Sequence, residues 1–159
     1  MRADRLLTVA AAAVLLVPLA GCAASEPQEL TVDYSTGTED IERVIELPGV
    51  LCTSVAGRSL FSSTAPRPAD GPGEFAAAID DASGESDVVS VQISDDLWFT
   101  STDPYTATSD GVRFDGVVGA VSPLGPTGLP STDVIDPEAT LSGTLTCTER
   151  RDTPSGGAP

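Results

Sequence analysis

The chain has 159 residues, with 24 acidic side chains against eight arginines, no lysine, no histidine and no asparagine, and a formal net charge of −16. So acidic a chain repels nucleic acid and anionic headgroups. Without histidine there is no Ser-His-Asp or Cys-His nucleophile system and no imidazole zinc site; without lysine there is no P-loop lysine and no Schiff base. What stays open to catalysis is a carboxylate pair, a serine with an unusual base, or a metal on oxygen ligands. Asp80-Asp81 and Asp95-Asp96 are the paired acids, and each reads first as a solvated turn. No stretch fits an EF-hand loop.

In chain order, the first feature is an address. Met1 to Arg5 carries two arginines, Leu6 to Leu19 is almost wholly apolar, and Ala20, Gly21 and Cys22 follow. A basic stretch, an apolar stretch and a small-residue exit make a secretory signal peptide. The apolar run is shorter than the roughly 20 residues of a transmembrane helix. Leu19-Ala20-Gly21-Cys22 resembles the lipobox of bacterial lipoproteins. That resemblance implies cleavage between Gly21 and Cys22, with a diacylglycerol on the Cys22 thiol. Each buried methylene contributes about 0.8 kcal/mol, so two acyl chains hold where one does not. From Cys22 onward the chain has six arginines and 23 acidic residues, so its lipid, not a basic patch, is what would hold it to the membrane.

Residues 23–28 are a short polar tether. Leu30, Val32 and Tyr34 alternate with polar residues, which suits a first strand over 29–35. The acidic stretch 35–42 suits an extended tether equally well. From about 47 the period is clearly two, the signature of half-buried strands. Val50, Cys52 and Ser54 share one face, and Leu60 and Phe61 suggest a partner strand after Gly57. Residues 65–73 form a Pro/Gly loop. Phe75, Ala78 and Ile79 fall on one side of a helix over 74–79, with Gly84 beyond its end. Val89, Val91 and Ile93 alternate, Asp95-Asp96 turns the chain, and Leu97 and Phe99 oppose Trp98. Tyr105 and Ala107 suit a short strand. Ser109-Asp110-Gly111 is a hairpin turn. It leads into Val112, Phe114, Gly116, Val118 and Ala120 on one face. Residues 122–137 form a long Pro/Gly loop carrying Leu124, Leu129, Val134 and Ile135. Loops of this length inside a domain are uncommon and often functional. These side chains either cap the open end of the sheet or offer a surface to an apolar ligand or a partner. Ala139, Leu141, Gly143, Leu145 and Cys147 face the core in the last strand. Residues 150–159 read as a disordered polar tail.

Cys52 and Cys147 are the pair left once Cys22 is lipidated, and outside the membrane an even count reads as a disulfide. It would close a loop of roughly 95 residues, worth on the order of 4.7 kcal/mol by loop entropy, and tie the first core strand to the last.

Together the lipobox, "GVLCTSVAG", "EFAAAIDD", "VVSVQI", "GVVGAV", the Pro-bearing loop and the final "LSGTLTC" resemble the mycobacterial nineteen-kilodalton lipoprotein antigen family, the LpqH-like lipoproteins, over most of 47–148. The absence of lysine and asparagine is similar to what a GC-rich actinobacterial genome produces. The resemblance implies a surface lipoprotein with Cys22 acylated, Cys52 paired with Cys147, and an acylated N-terminus open to host innate receptors. It carries over no catalytic residue. Family tethers are often longer and richer in Ser and Thr; the tether here is acidic.

The sequence therefore predicts a mainly β fold, an antiparallel sheet forming a sandwich or half-barrel with one short helix, tied by a disulfide. It predicts a signal peptide over 1–21, a lipidated tether over 22–46, a β domain over 47–149 and a tail over 150–159. The expected protein is no enzyme and binds no metal. It needs no cofactor beyond a covalent diacylglycerol on Cys22, whose freed amine can take an N-acyl chain. It is lipid-anchored on the outer face of the cell membrane, and acts as an interaction or envelope domain toward an envelope or host-surface protein. The alternative is a carrier of an apolar small molecule or lipid, with Trp98, Phe114 and the 122–137 loop around its mouth.

Overall fold

The computed structural model describes residues 27–63, 74–80 and 83–152. Ten strands make one sheet: β1 (Gln28–Ser35), β2 (Asp40–Leu47), β3 (Val50–Val55), β4 (Arg58–Ser63), β5 (Phe75–Asp80), β6 (Ser86–Gln92), β7 (Leu97–Ser101), β8 (Thr106–Ala107), β9 (Gly111–Pro123) and β10 (Asp136–Asp152). Their spatial order is β2-β1-β10-β3-β4-β5-β6-β7-β9-β8, and a further β9–β10 pairing turns the sheet back on itself. Seven strands, β3 to β7 with β9 and β10, thus form a hydrogen-bonded ring. The β1–β2 hairpin hangs on β10. The sheet is antiparallel except where β10 runs parallel to β3. The interior is one apolar cluster to which every strand from β1 to β7, β9 and β10 contributes.

β10 organises the sheet. One of its edges pairs with β9 from Asp136 to Thr146. The other pairs first with β1, through 140–143, and then with β3, through 147–152. Cys52 and Cys147 are bonded, with Cα atoms 5.6 Å apart, across this parallel seam. That separation lies within the range a disulfide spans. The expected disulfide joins neighbouring strands at the place where the ring closes.

A sheet bends most sharply where its ladders slip, and each slip strands backbone groups that need partners. Serine, threonine, tyrosine and aspartate side chains supply them here. At the β10–β3 slip between Cys147 and Glu149, the Thr148 hydroxyl accepts from the Val50 N–H at 2.9 Å and donates to the Val50 carbonyl at 3.1 Å. At the β5–β6 slip, the Tyr105 hydroxyl accepts from the Ala78 N–H at 2.9 Å and donates to the Ala78 carbonyl. In β9, Asp115 and Gly116 together oppose Ser142, whose hydroxyl accepts from the Gly116 N–H at 3.2 Å. Gly116 has φ 65°, a conformation that favours glycine.

Several expectations are corrected. Residues 74–79 are not a helix but part of β5. Phe75, Ala77 and Ile79 point inward at a period of two, and the small alanines between them fit a half-buried pleat. Val118 does not share the face of Phe114. The extra residue at Gly116 reverses the alternation, so Val117 is buried and Val118 is 43% exposed. β1 lies at the strand suggested over 29–35, and the fold takes in β1 and β2 ahead of residue 47, because the 35–42 stretch is a turn over 36–39 followed by the start of β2. β2 hides Ile45 and Leu47 behind an acidic outer face, which made it read as tether. At the other end β10 continues to Asp152, past the expected start of the tail. The 65–73 loop and residues 153–159 lie outside the described residues.

Removing the Tyr105 hydroxyl leaves two backbone groups of Ala78 without it. Tyr105→Phe should lower the unfolding free energy by about 1–2 kcal/mol in urea titration, with the slope of the transition unchanged.

Candidate functional site

The two ends of the sheet differ in character. At one end Gln28 opens β1, and its side-chain amide bonds to the backbone of Thr146. The Ala56-Gly57 turn and the 108–110 turn lie toward this end. At the other end lie the 36–39 turn, the 94–96 turn and the loop over 124–135. Register places them there: Leu97 pairs with Pro123, and the Ser35 N–H donates to the Asp136 carboxylate at 2.6 Å.

The 124–135 loop is shaped by its own backbone. Leu124 and Pro130 form an isolated bridge. The Gly125 N–H donates to the Leu129 carbonyl and the Ser131 N–H to the Pro123 carbonyl, both at 2.7 Å. The loop is therefore a small hairpin with Pro126, Thr127 and Gly128 at its tip. Two bonds pin its base: the Leu124 N–H to the Asp96 carbonyl at 2.7 Å, and the Ile135 N–H to the Val121 carbonyl at 2.8 Å. Prolines fit because they set φ and ask for no donor partner.

This scaffold carries four large apolar side chains, exposed to different degrees. Leu124, Leu129, Val134 and Ile135 are four of the nine exposed large hydrophobic residues among the described residues, and Leu129 is 66% exposed. Leu124 and Ile135, at 36% and 39% exposed, are more than half covered, whereas Leu129 projects furthest. In the strands beneath, Phe99, Val91 and Val121 are fully buried. The four predicted loop residues thus share one hydrogen-bonded loop, with Leu129 the most exposed of them.

Trp98 and Phe114, expected around the same mouth, are not brought together. Phe114 is buried in the core, edge-on to Phe75 at 6.0 Å and tilted against Tyr105 at 5.1 Å. Trp98 alternates with the buried Phe99 and takes the opposite face, in register with Gln92 and Ser122. Gln92 and Ser122 are buried on that face. Gln92 Oε1 and Trp98 Nε1 have no hydrogen-bond partner there. Beside the disulfide, residues including Phe61, Cys147 and Arg150 line a recess of about 90 Å³, room for only a few atoms.

Asp95-Asp96 lies in the 94–96 turn, and Asp80 ends β5. Asp96 Oδ1 accepts from the Ser94 hydroxyl at 2.8 Å, and Asp80 Oδ1 accepts from the Ser83 N–H at 3.1 Å. Asp81 lies outside the described residues, as do Gly21 and Cys22. Among the described residues, no three Cys, Asp or Glu side chains converge as a metal would require. Sequence reasoning missed the bulge-capping hydroxyls of Tyr105, Ser142 and Thr148, since a slip leaves no mark in an alternating pattern. It also missed β2. Ile41, Ile45 and Leu47 at a period of two were the signal that could have found that strand.

Comparison with protein-family models, with curated proteins and with solved structures finds no match for this chain.

Because Leu129 is 66% exposed in the folded state, Leu129→Ser should change the unfolding free energy by less than about 0.5 kcal/mol. A Leu129 that capped the core would instead lose about 2 kcal/mol or more, as buried leucines do. Urea unfolding of the variant separates the cases.

Proposed function

We propose that the chain is a lipoprotein anchored through Cys22 on the outer face of the cell membrane, and that its β domain acts by binding a partner protein at the 124–135 loop rather than by catalysis. The observation that carries this reading is the distance from lipobox to fold. Gln28 stands six positions after Cys22, and six extended residues reach at most about 20 Å. So short a lead holds the Gln28 end of the sheet at the bilayer. β10 runs from Asp136 to Thr146 between the two ends, and ten strand residues rise about 33 Å. The loop with Leu124 and Leu129 is then carried outward, away from the parent membrane, with a solvated apolar surface of the kind that marks interaction sites.

Other features support an extracytoplasmic place. The Cys52–Cys147 bond suits an oxidising compartment. The resemblance to the LpqH-like lipoproteins belongs to this proposal. So does the choice of an envelope or host-surface protein as partner, and so does the absence of a cofactor apart from the acyl chains of Cys22.

Intact mass of the protein purified from membranes tests the anchor. The expected mass is that of residues 22–159 plus acyl chains, lighter by the two hydrogens lost to the disulfide. Cys22→Ala should carry no acyl mass and should not be processed at Gly21. An unacylated wild-type protein in the medium would overturn the reading.

A further inference from the structure

We infer that the free edge of β2 is a second binding surface, made to take a strand of a partner protein that carries basic residues on alternate positions. The inference stands on the edge itself and does not depend on the loop or on the lipid.

Among the described residues β2 pairs on one side only, with β1. All eight of its residues, Asp40–Leu47, pair with Gln28–Ser35 in unbroken register. Edges are normally blunted by proline, a bulge, short length or charged side chains, lysine above all. Asp-Ile-Glu-Arg-Val-Ile-Glu-Leu has no proline, no lysine and no slip, and three of its four charges are acidic, a guard against neutral or acidic strands but not against a basic one; the opposite edge, β8, is only two residues long. An edge of this kind presents a row of backbone donors and acceptors that another strand can complete.

The outer face of the hairpin says what that strand should carry. Glu29 lies opposite Glu46 and Asp33 opposite Glu42, with Thr31 opposite Val44 between them. Like charges directly opposite each other are destabilising. Arg43 offers no relief, because it alternates to the other face, opposite Val32. Asp40 adds a further carboxylate to the outer face, and Val44 stands 51% exposed between Glu42 and Glu46. A strand laid along β2 with basic side chains beside Asp40, Glu42 and Glu46, and an apolar one beside Val44, would neutralise the repulsion and cover the valine.

The same pattern weighs against a second copy of this chain. A twofold pairing centred on Val44 sets Glu42 against Glu46 twice. One centred on Arg43 sets arginine against arginine and Asp40 against Glu46. One centred on Ile45 avoids these clashes but leaves the acidic row without a cation. The acidic face therefore favours a basic strand of another protein.

The test uses the full-length protein in detergent micelles and an eight-residue probe with lysine at positions 1, 5 and 7 and valine elsewhere, which in antiparallel register sets lysine beside Glu46, Glu42 and Asp40 and valine beside Val44. The probe should bind and raise amide protection within Asp40–Leu47. The same peptide N-methylated at alternate residues, with equal charge but no strand-pairing donors, should bind at least tenfold more weakly. Glu42→Lys combined with Glu46→Lys should weaken the parent probe at least tenfold; it also removes both like-charge pairs, so the unfolding midpoint should hold or rise. Equal binding of the two peptides, or binding untouched by the double substitution, would overturn the proposal in favour of diffuse ionic attraction. Failure of the probe to bind at all would also overturn it, while leaving the loop and the anchor unaffected.

Discussion

The parallel pairing of β3 with the last part of β10 is the constraint on which the rest of the molecule depends. β10 has three neighbours and only two edges, so one edge must be shared. β1 takes its first part and β3 its last. Because β3 begins where β1 leaves off, the strands from β3 to β7 can circle back to β9 and enclose a single core. Parallel pairing is slightly weaker per residue than antiparallel, and this ladder slips at Thr148. The two devices placed there, the Thr148 hydroxyl and the Cys52–Cys147 bond, hold the seam at its weakest point.

The same logic explains the composition of the strands. A ring this small has to bend, and ladder slips in three of its pairings help it to. Each slip frees backbone groups that the next strand cannot reach, so a side chain must reach them instead. Tyr105, Ser142 and Thr148 do so, and Asp136 does so for the Glu138 N–H where Pro137 and Glu138 bulge against Ala120. Abundant serine and threonine are therefore more than a polar outer face; some of them are structural parts of the sheet.

How far the sequence disclosed this fold follows from the range of each interaction. Val89, Val91 and Ile93, or Ala139, Leu141 and Leu145, alternate cleanly, since one face meets the core and the other meets water. The disulfide was legible because two cysteines remained once Cys22 had a use. Phe75-Ala76-Ala77-Ala78-Ile79 was not legible, because alanine suits a helix on its own and only the neighbouring β4 and β6 make it a strand. The turn of Val118 to the outside was hidden for a related reason: a bulge shows only against its partner strand. The parallel seam had no local signal at all. At the candidate site the loop residues were legible from their chemistry, an apolar set among prolines and glycines. Their outward presentation depends on bonds to Asp96 and Val121, which are distant in sequence.

Structure and proposed role meet in the polarity of the sheet. The chain enters beside the seam, and the loop leaves from the far end of β10. Whatever holds the seam therefore also fixes the direction in which the loop is presented. Hydrogen exchange on a Cys52→Ala, Cys147→Ala variant measures this most directly. Removal of a native disulfide from a small domain costs about 2–5 kcal/mol. The account predicts that the amides of β3 and of 147–152 lose protection first, while the β1–β10 and β9–β10 ladders keep theirs longest. Unchanged protection of β3 in the variant would contradict it.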